Sequence, residues 1–469
     1  MTQALHMFRK DVRCFRYELG VVGALTATFA WSHIAADAPH GPELSRATIL
    51  AYLTSVLLVS GWWFLVAQLI HEEALVGDRQ FWITRPYSWK DLLGAKVLFV
   101  LAFVNAPLLV AQMVILGATG FSPLGGFPRL LWMQLAAALV LLAPAFALAT
   151  MTRSLAQIVL FLLCVAAGLY FAVAGRSSGG SVSLVVLQFS WTNAAAAVVV
   201  LCAGAALVVR WQYSMRRTRA SIFAGLSAIV FAVAVSILFP VTFRYTLQSW
   251  MFRRPEARTV SVALGQPFAR GSGAGEPWLR MEIPFTFSEA VVPDAIAVSI
   301  EAPGNVRWSQ GWMGGYPIDS TMSYRHVLFF ERDFYRRVAS RTVTLRASMY
   351  LRLQNQTRLP LPAGRATRIP GGAFCAISTV DKADVVFCRS PFRSLYDAVR
   401  GSDAATHELL SIWYSPWPAE FALSPVFTDS FSCAAGSTVS FVREDPLGWV
   451  RRDLRATVQL PPLPPEVQP

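Results

Sequence analysis

Gly175, Ser177 and Gly179 stand in the spacing Gly-x-Ser-x-Gly, which in a hydrolase presents a serine nucleophile on a strand-to-helix turn. Here the triplet sits in a Gly/Ser-rich segment between two long apolar stretches, where no α/β sheet is at hand to hold it. A membrane hydrolase is therefore the weakest reading. His326 and His407 have acids nearby, Glu331 and Glu408, a spacing that fits a solvated face better than a catalytic pair. Cys375, Cys388 and Cys433 can do redox chemistry. If 373–388 is a hairpin turning at Asp381-Lys382, Cys375 falls opposite Cys388, and a disulfide can form in an oxidising compartment. A bond from Cys433 to either partner competes with it. Cys14, Cys164 and Cys202 lie in or beside apolar stretches and read as small apolar residues. No Cys/His spacing suggests a metal site, and the phosphate cradle Gly-x-x-x-x-Gly-Lys-[Ser/Thr] does not occur.

The segment 71–96 is suited to a mechanical task. It reads His71-Glu-Glu-Ala-Leu-Val-Gly-Asp-Arg-Gln-Phe-Trp-Ile-Thr-Arg-Pro-Tyr-Ser-Trp-Lys-Asp-Leu-Leu-Gly-Ala-Lys96. Residues 72–81 can form a short interfacial helix. Pro86 lacks an N–H and disfavours helix at Arg85, so the chain turns. Ser88-Trp89-Lys90-Asp91 then has the form of a capping box, Ser88 as N-cap and Asp91 reaching back. A helix starting there runs through Lys96 into the next apolar stretch, giving a stiff elbow continuous with a membrane helix.

The elements around that elbow follow from hydropathy. Over half of the 469 residues are hydrophobic and only 15% are charged, against about a quarter in ordinary soluble domains; mean hydropathy is +0.45. Seven stretches are long enough to span lipid: 19–36, 47–70, 97–120, 130–151, 155–174, 191–209 and 220–243. Residues 182–190 suggest a half-inserted helix. Before the first stretch, Arg9, Lys10, Arg13 and Arg16 mark an amphipathic helix at the membrane surface. With the N-terminus inside, the inner segments carry 13 basic residues and the outer loops three, Arg46, Arg129 and Arg176. An odd number of spans then puts everything after 243 outside. None of the seven stretches holds Asp, Glu, Lys or Arg, which weighs against a self-powered transporter. Asn105, Gln112 and Gln134 are candidates for hydrogen bonds between helices. The net charge of +13 follows the apolar runs, so it reads as membrane topology and not as a nucleic-acid surface.

The run Gly77, Phe81-Trp82, Thr84-Arg85-Pro86, Ser88, Leu92-Leu93 and Lys96 resembles the corresponding loop of bacterial type-2 ATP-binding-cassette permeases. The basic N-terminal segment and the first six spans are similar to that family too, over roughly residues 1–210. In such permeases this loop is a coupling helix seated on the ATPase subunit. The resemblance implies that Glu72, Glu73, Gly77, Phe81, Trp82, Arg85, Pro86 and Ser88 form the ATPase contact. It also implies a homo- or heterodimer of permeases, with ATP and Mg bound only on the separate ATPase. The plainer alternative is a loop that anchors two spans, with Trp82 and Trp89 in the interfacial aromatic belt. A seventh span and a large following region depart from the family pattern and leave room for assembly or force transmission.

From 258 onward the pattern turns to period two. In 342–353, Val343, Leu345, Ala347, Met349, Leu351 and Leu353 share one face. Further strands are expected at 278–287, 297–301, 327–330, 373–380, 384–388, 438–443 and 454–460, with a short helix within 393–410 and an extended Pro-rich tail at 461–469. The expected architecture is an α-helical membrane domain (1–243, about seven transmembrane helices) followed by an all-β, sandwich-like extracytoplasmic domain (244–460). The expected function is that of a non-enzymatic export permease in the bacterial inner membrane, driven by a partner ATPase. The rival is a membrane-anchored binding, sensory or envelope-assembly protein that transports nothing.

Overall fold

The computed structural model describes residues 2–36, 46–72, 88–174, 191–215, 217–238, 243, 246–247, 260–270, 278–288, 291–304, 306–314, 323–369, 372, 374–380, 383–392, 397–402, 409–412, 423–434 and 438–463. Glu73, Gly77, Phe81, Trp82, Arg85 and Pro86 lie outside these residues, as do Ser177, His407 and the segment 182–190.

The first helix, α1 (Thr2–Cys14), is followed by α2 (Arg16–Ala36) and α3 (Arg46–His71). Next come α4 (Trp89–Val100) and α5 (Ala106–Ala118), joined by a π-helical turn, Leu101–Asn105. α6 (Pro123–Ala137) and α7 (Ala143–Met151) are joined by a second such turn, Ala138–Leu142. The series ends with α8 (Leu155–Ala174), α9 (Trp191–Met215) and α10 (Thr218–Leu238). Among the described residues, six helices are long and apolar enough to cross a membrane: α2, α3, the composite Trp89–Ala118, the composite Pro123–Met151, Ala195–Met215 and Thr218–Val235. Their outward faces carry large apolar side chains such as Tyr52, Val56, Val110, Phe223, Val230 and Phe231. Water would penalise that much exposed hydrocarbon; lipid does not.

Two crossings start earlier than hydropathy suggests, and each has a capping serine as the cause. Ser88 Oγ accepts from Asp91 N at 3.1 Å and donates to Asp91 Oδ2 at 2.5 Å, so the helix begins at Trp89. Ser122 Oγ accepts from Gly125 N at 3.2 Å, with Pro123 at the first helical position, where a missing N–H costs nothing. Both π-helical turns lie just before a proline, Pro107 and Pro144. The wider turn accommodates a ring that would collide with the carbonyl one turn back.

The chain packs as two compact units. One comprises Met1–Leu238, Ala363–Leu395 and Ser415–Ser432; the other comprises Phe239–Pro362, Tyr396–Tyr414 and Cys433–Pro469. Where hydropathy suggests one cut after 243, packing assigns two later segments to the unit that holds the helices. In that unit β8 (Thr367–Arg368), β9 (Phe374–Val380), β10 (Ala383–Pro391) and β13 (Val426–Ala434) form a sheet ordered β13-β10-β9-β8. Cys375 and Cys388 are cross-strand partners in the β9–β10 hairpin and are joined by a disulfide.

The other unit holds two sheets. One contains β1 (Val262–Leu264), β2 (Phe268–Arg270), β3 (Trp278–Phe287) and β6 (Ser323–Glu331). The other is six-stranded, from β4 (Val291–Ala302), β5 (Val306–Gly314), β7 (Thr342–Pro360), β11 (Asp397–Ser402), β12 (Leu409–Ile412) and β14 (Thr438–Gln459), ordered β12-β11-β14-β7-β4-β5. Leu279, Met281, Ile283 and Phe285 of β3 share one core with Val298, Ile300, Leu345 and Met349 of β4 and β7. A short helix, α11 (Arg332–Val338), adds Phe334, Tyr335 and Val338 to it.

The described residues of 393–410, where a short helix is expected, are strand. Residues 397–402 and 409–412 are strands, because β11 pairs along the edge of β14 at 438–443 that β7 leaves open.

His326 is the second correction. It is buried, 3% exposed, not on a solvated face, since Tyr324, His326, Leu328 and Phe330 point inward at period two along β6. Burial pushes its pKa down to about 4. The folded state therefore holds His326 neutral, while the unfolded chain takes up a proton near pH 6.5. The stability this residue contributes is complete above about pH 6.5 and drains away as pH falls towards about 4, a loss of about 3 kcal/mol. Thermal unfolding of the full chain from about pH 7 down to about pH 4 checks this. His326→Leu is expected to flatten the acid limb; an unchanged limb contradicts the assignment.

Candidate functional site

The described end of the elbow is built around a buried ion pair. α1 turns Ala4, Met7, Phe8 and Asp11 onto one face, the i, i+3, i+4 spacing of an amphipathic helix, and Phe15 follows it, also buried. Met7 packs with Val66, Ile70, Leu92 and Ala95, and Phe15 packs edge-on against Phe99. Asp11, on that apolar face, meets Lys96 of α4: Lys96 Nζ donates to Asp11 Oδ2 at 2.9 Å, with side chains 0% and 1% exposed. Lys96 lies one residue before the uncharged stretch 97–120. The composite crossing Trp89–Ala118 includes Lys96 in its second turn, where the charge is tolerated because α1 supplies the counter-charge. α1 is therefore docked on α4, with Arg9, Lys10 and Arg13 on its exposed face.

Glu72 lies at the same end. Its Oε1 is 3.3 Å from Lys10 Nζ and accepts from Cys14 Sγ at 3.6 Å. Partial desolvation, and next the Glu72 carboxylate, hold the Cys14 thiol above its usual pKa. Since the thiolate is the reactive form, Glu72→Gln is expected to speed maleimide labelling of Cys14 several-fold near neutral pH. An unchanged rate would remove the Glu72–Cys14 contact. Beside Glu72, His71 Nε2 is 3.1 Å from Thr152 Oγ1, which joins the C-terminus of α3 to that of α7.

The opposite end of the same composite helix is tied to the disulfide-bearing sheet. Asn105, in the π-helical turn, donates to Gln134 Oε1 at 3.2 Å; Gln134 Nε2 donates to Gln112 Oε1 at 2.8 Å; Gln112 Nε2 donates to the Leu423 carbonyl at 2.7 Å. Arg389 Nη1, on β10, donates to the Thr119 carbonyl at 3.4 Å. Phe121 lies 5.6 Å from Phe374 of β9, ring centre to ring centre. Phe392 covers Gly126 so closely that a Cβ there would sit 2.7 Å from its ring. The composite helix from 89 to 118 thus has a serine cap and a buried ion pair at one end. At its other end a hydrogen-bonded polar chain leads into a β-sheet.

Of the coupling residues named from sequence, Glu72 and Ser88 fall among the described residues, at the ends of 73–87. Asp11 is an addition, and Lys96, which closes the run quoted from sequence, gains a partner in it. The signal for Asp11 was its place on the apolar face of α1.

These helices with their exposed apolar faces define a membrane protein of several crossings that also carries a β-rich region. No family model matches the chain, and no curated protein matches it. Among solved structures, red sea bream transglutaminase is similar over 44% of this chain and 32% of its own length, at 9% identity and a TM-score of 0.13. This chain thus spans about a third of that protein, and a likeness so low carries no argument about fold or activity.

Proposed function

We propose that this chain is the membrane-spanning permease subunit of a bacterial ATP-binding-cassette export system, driven by a separate ATPase docked on the 71–96 loop. The reading takes seven crossings, with α8 as the fifth, the N-terminus in the cytoplasm and a sandwich-like β region outside. Two permease chains pair around the export path. The observation that carries it is the composite helix Trp89–Ala118, which starts at a serine cap and is clamped to α1 by Asp11 and Lys96. A push on the elbow cannot be absorbed locally, because the first turns of the helix are held by a buried charge pair. It passes along the rod to Gln112 and the Thr119 carbonyl, and so to the sheet containing Cys375 and Cys388. A disulfide in that sheet is consistent with an oxidising compartment on that side.

Co-purification tests the reading. The wild-type chain is expected to bring down a stoichiometric ATPase, and Glu72→Lys combined with Glu73→Lys and Arg85→Glu is expected to lose it. An ATPase retained by the triple variant, or none with the wild type, overturns the proposal and leaves the membrane-anchored binding protein as the better reading.

A further inference from the structure

The end of the bundle that holds the α7–α8 turn contains a half-open cavity of about 410 Å³ between α3, α7, α8, α9 and α10. Ala147, Phe161, Ala205 and Leu226 are typical of its walls, and its polar lining is Thr152 and Gln157. Its wall is fixed by tight packing: a Cβ on Gly204 would overlap the Ala228 methyl, and one on Gly225 would press on Met151 at 3.3 Å. Water has almost no hydrogen-bond partners inside it. Its volume is at the small end of ligand pockets. It lies along helices whose outer faces meet lipid.

The polar part of the lining points to the occupant. Thr152 and Gln157 stand where α7 ends and α8 begins, and Gln157 Oε1 accepts from Arg153 N at 2.8 Å, which fixes the turn. Arg153 is exposed there, and Arg217 and Arg219 are exposed in the α9–α10 turn, which the alternation of the helices puts at the same end. An apolar slot whose polar lining residues Thr152 and Gln157 flank the exposed Arg153 suits a molecule with a hydrocarbon chain and an anionic head. We infer that the cavity holds one acyl chain of an anionic phospholipid, with its phosphate beside Arg153. A hydrocarbon chain leaving bulk lipid gains no hydrophobic free energy. Retention rests on close packing in the slot and on the charge of Arg153 beside it.

The test uses the full chain reconstituted in phosphatidylcholine vesicles carrying a trace of chain-spin-labelled phosphatidylglycerol. The wild type is expected to hold a motionally restricted phosphatidylglycerol that exchanges slowly and is not displaced by phosphatidylcholine. Ala205→Phe, which fills the slot, and Leu226→Trp, which closes its rim, are each expected to release it. Arg153→Gln is expected to cut the preference for phosphatidylglycerol several-fold while the chain stays restricted. Phe223→Ala, on the lipid-facing side of α10 and away from the cavity, is expected to change nothing. If a correctly folded Ala205→Phe or Leu226→Trp protein retains the lipid, the site is elsewhere and the proposal falls. Equal retention of both headgroups by the wild type overturns the anionic assignment.

Discussion

Lys96→Met is expected to destabilise the helical unit by about 3–5 kcal/mol, the usual result of stripping one partner from a fully buried ion pair. The cost does not arise from losing the attraction alone. Asp11 would keep its burial, 1% exposed among Met7, Phe8 and Phe15, while losing the ammonium that offsets its desolvation. Asp11→Leu alone should be comparably damaging, since it leaves Lys96 buried on α4. The double variant Asp11→Leu/Lys96→Met should recover most of the loss, because well-packed apolar pairs often match or exceed a buried pair in stability. Denaturation of the three variants in detergent separates these cases. Additive losses in the double variant would contradict the pairing and with it the docking of α1 on α4.

The second large effect is at the sheet joined to the far end of the rod. Replacing Cys375 and Cys388 together by serine opens a loop with a sequence separation of 13, for which chain-entropy reasoning gives about 3 kcal/mol. The loss should be local to the β8–β9–β10–β13 sheet and its seat on Phe121 and Gly126. Trapping with an alkylating agent before reduction checks the bond itself: neither cysteine should be modified until a reductant is added. Both being alkylated at once would remove the disulfide and the inference of an oxidising compartment.

How far the sequence discloses this arrangement depends on the range of the forces involved. Short-range features are legible. Ser88 three residues before Asp91 announces the helix start, and alternation over 278–287 and 342–353 gives β3 and the first half of β7. Pro107 and Pro144 mark where the two composite helices become irregular, although the π-helical form is not deducible from them. The inward side of β6 is also written in its period, with His326 between Tyr324 and Leu328; the nearby Glu331 points to solvent and misleads.

Long-range pairings are less accessible. Asp11 and Lys96 are 85 residues apart in segments whose charge density suggests water, and only the apolar spacing of α1 hints that Asp11 turns inward. Gln112 meets a backbone carbonyl 311 residues later, a contact with no side-chain signature at Leu423. The assignment of 363–395 to the helical unit is hidden for a similar reason. Its strands alternate like those of the other unit, and what distinguishes them is the Phe121 and Gly126 surface they cover. The strand at 397–402 exists because β14 has an edge to fill, which local propensity in 393–410 does not reveal.

If the chain is the proposed permease, the Cys14 end of the 89–118 rod faces the cytoplasm, where a partner ATPase can push it. Cys14 is exposed at that end and reports on the question in a chain with Cys164, Cys202 and Cys433 replaced by alanine. In intact cells a membrane-impermeant maleimide is predicted to leave Cys14 unmodified until the membrane is permeabilised. Modification of Cys14 in sealed cells would put the elbow on the outside and contradict the account.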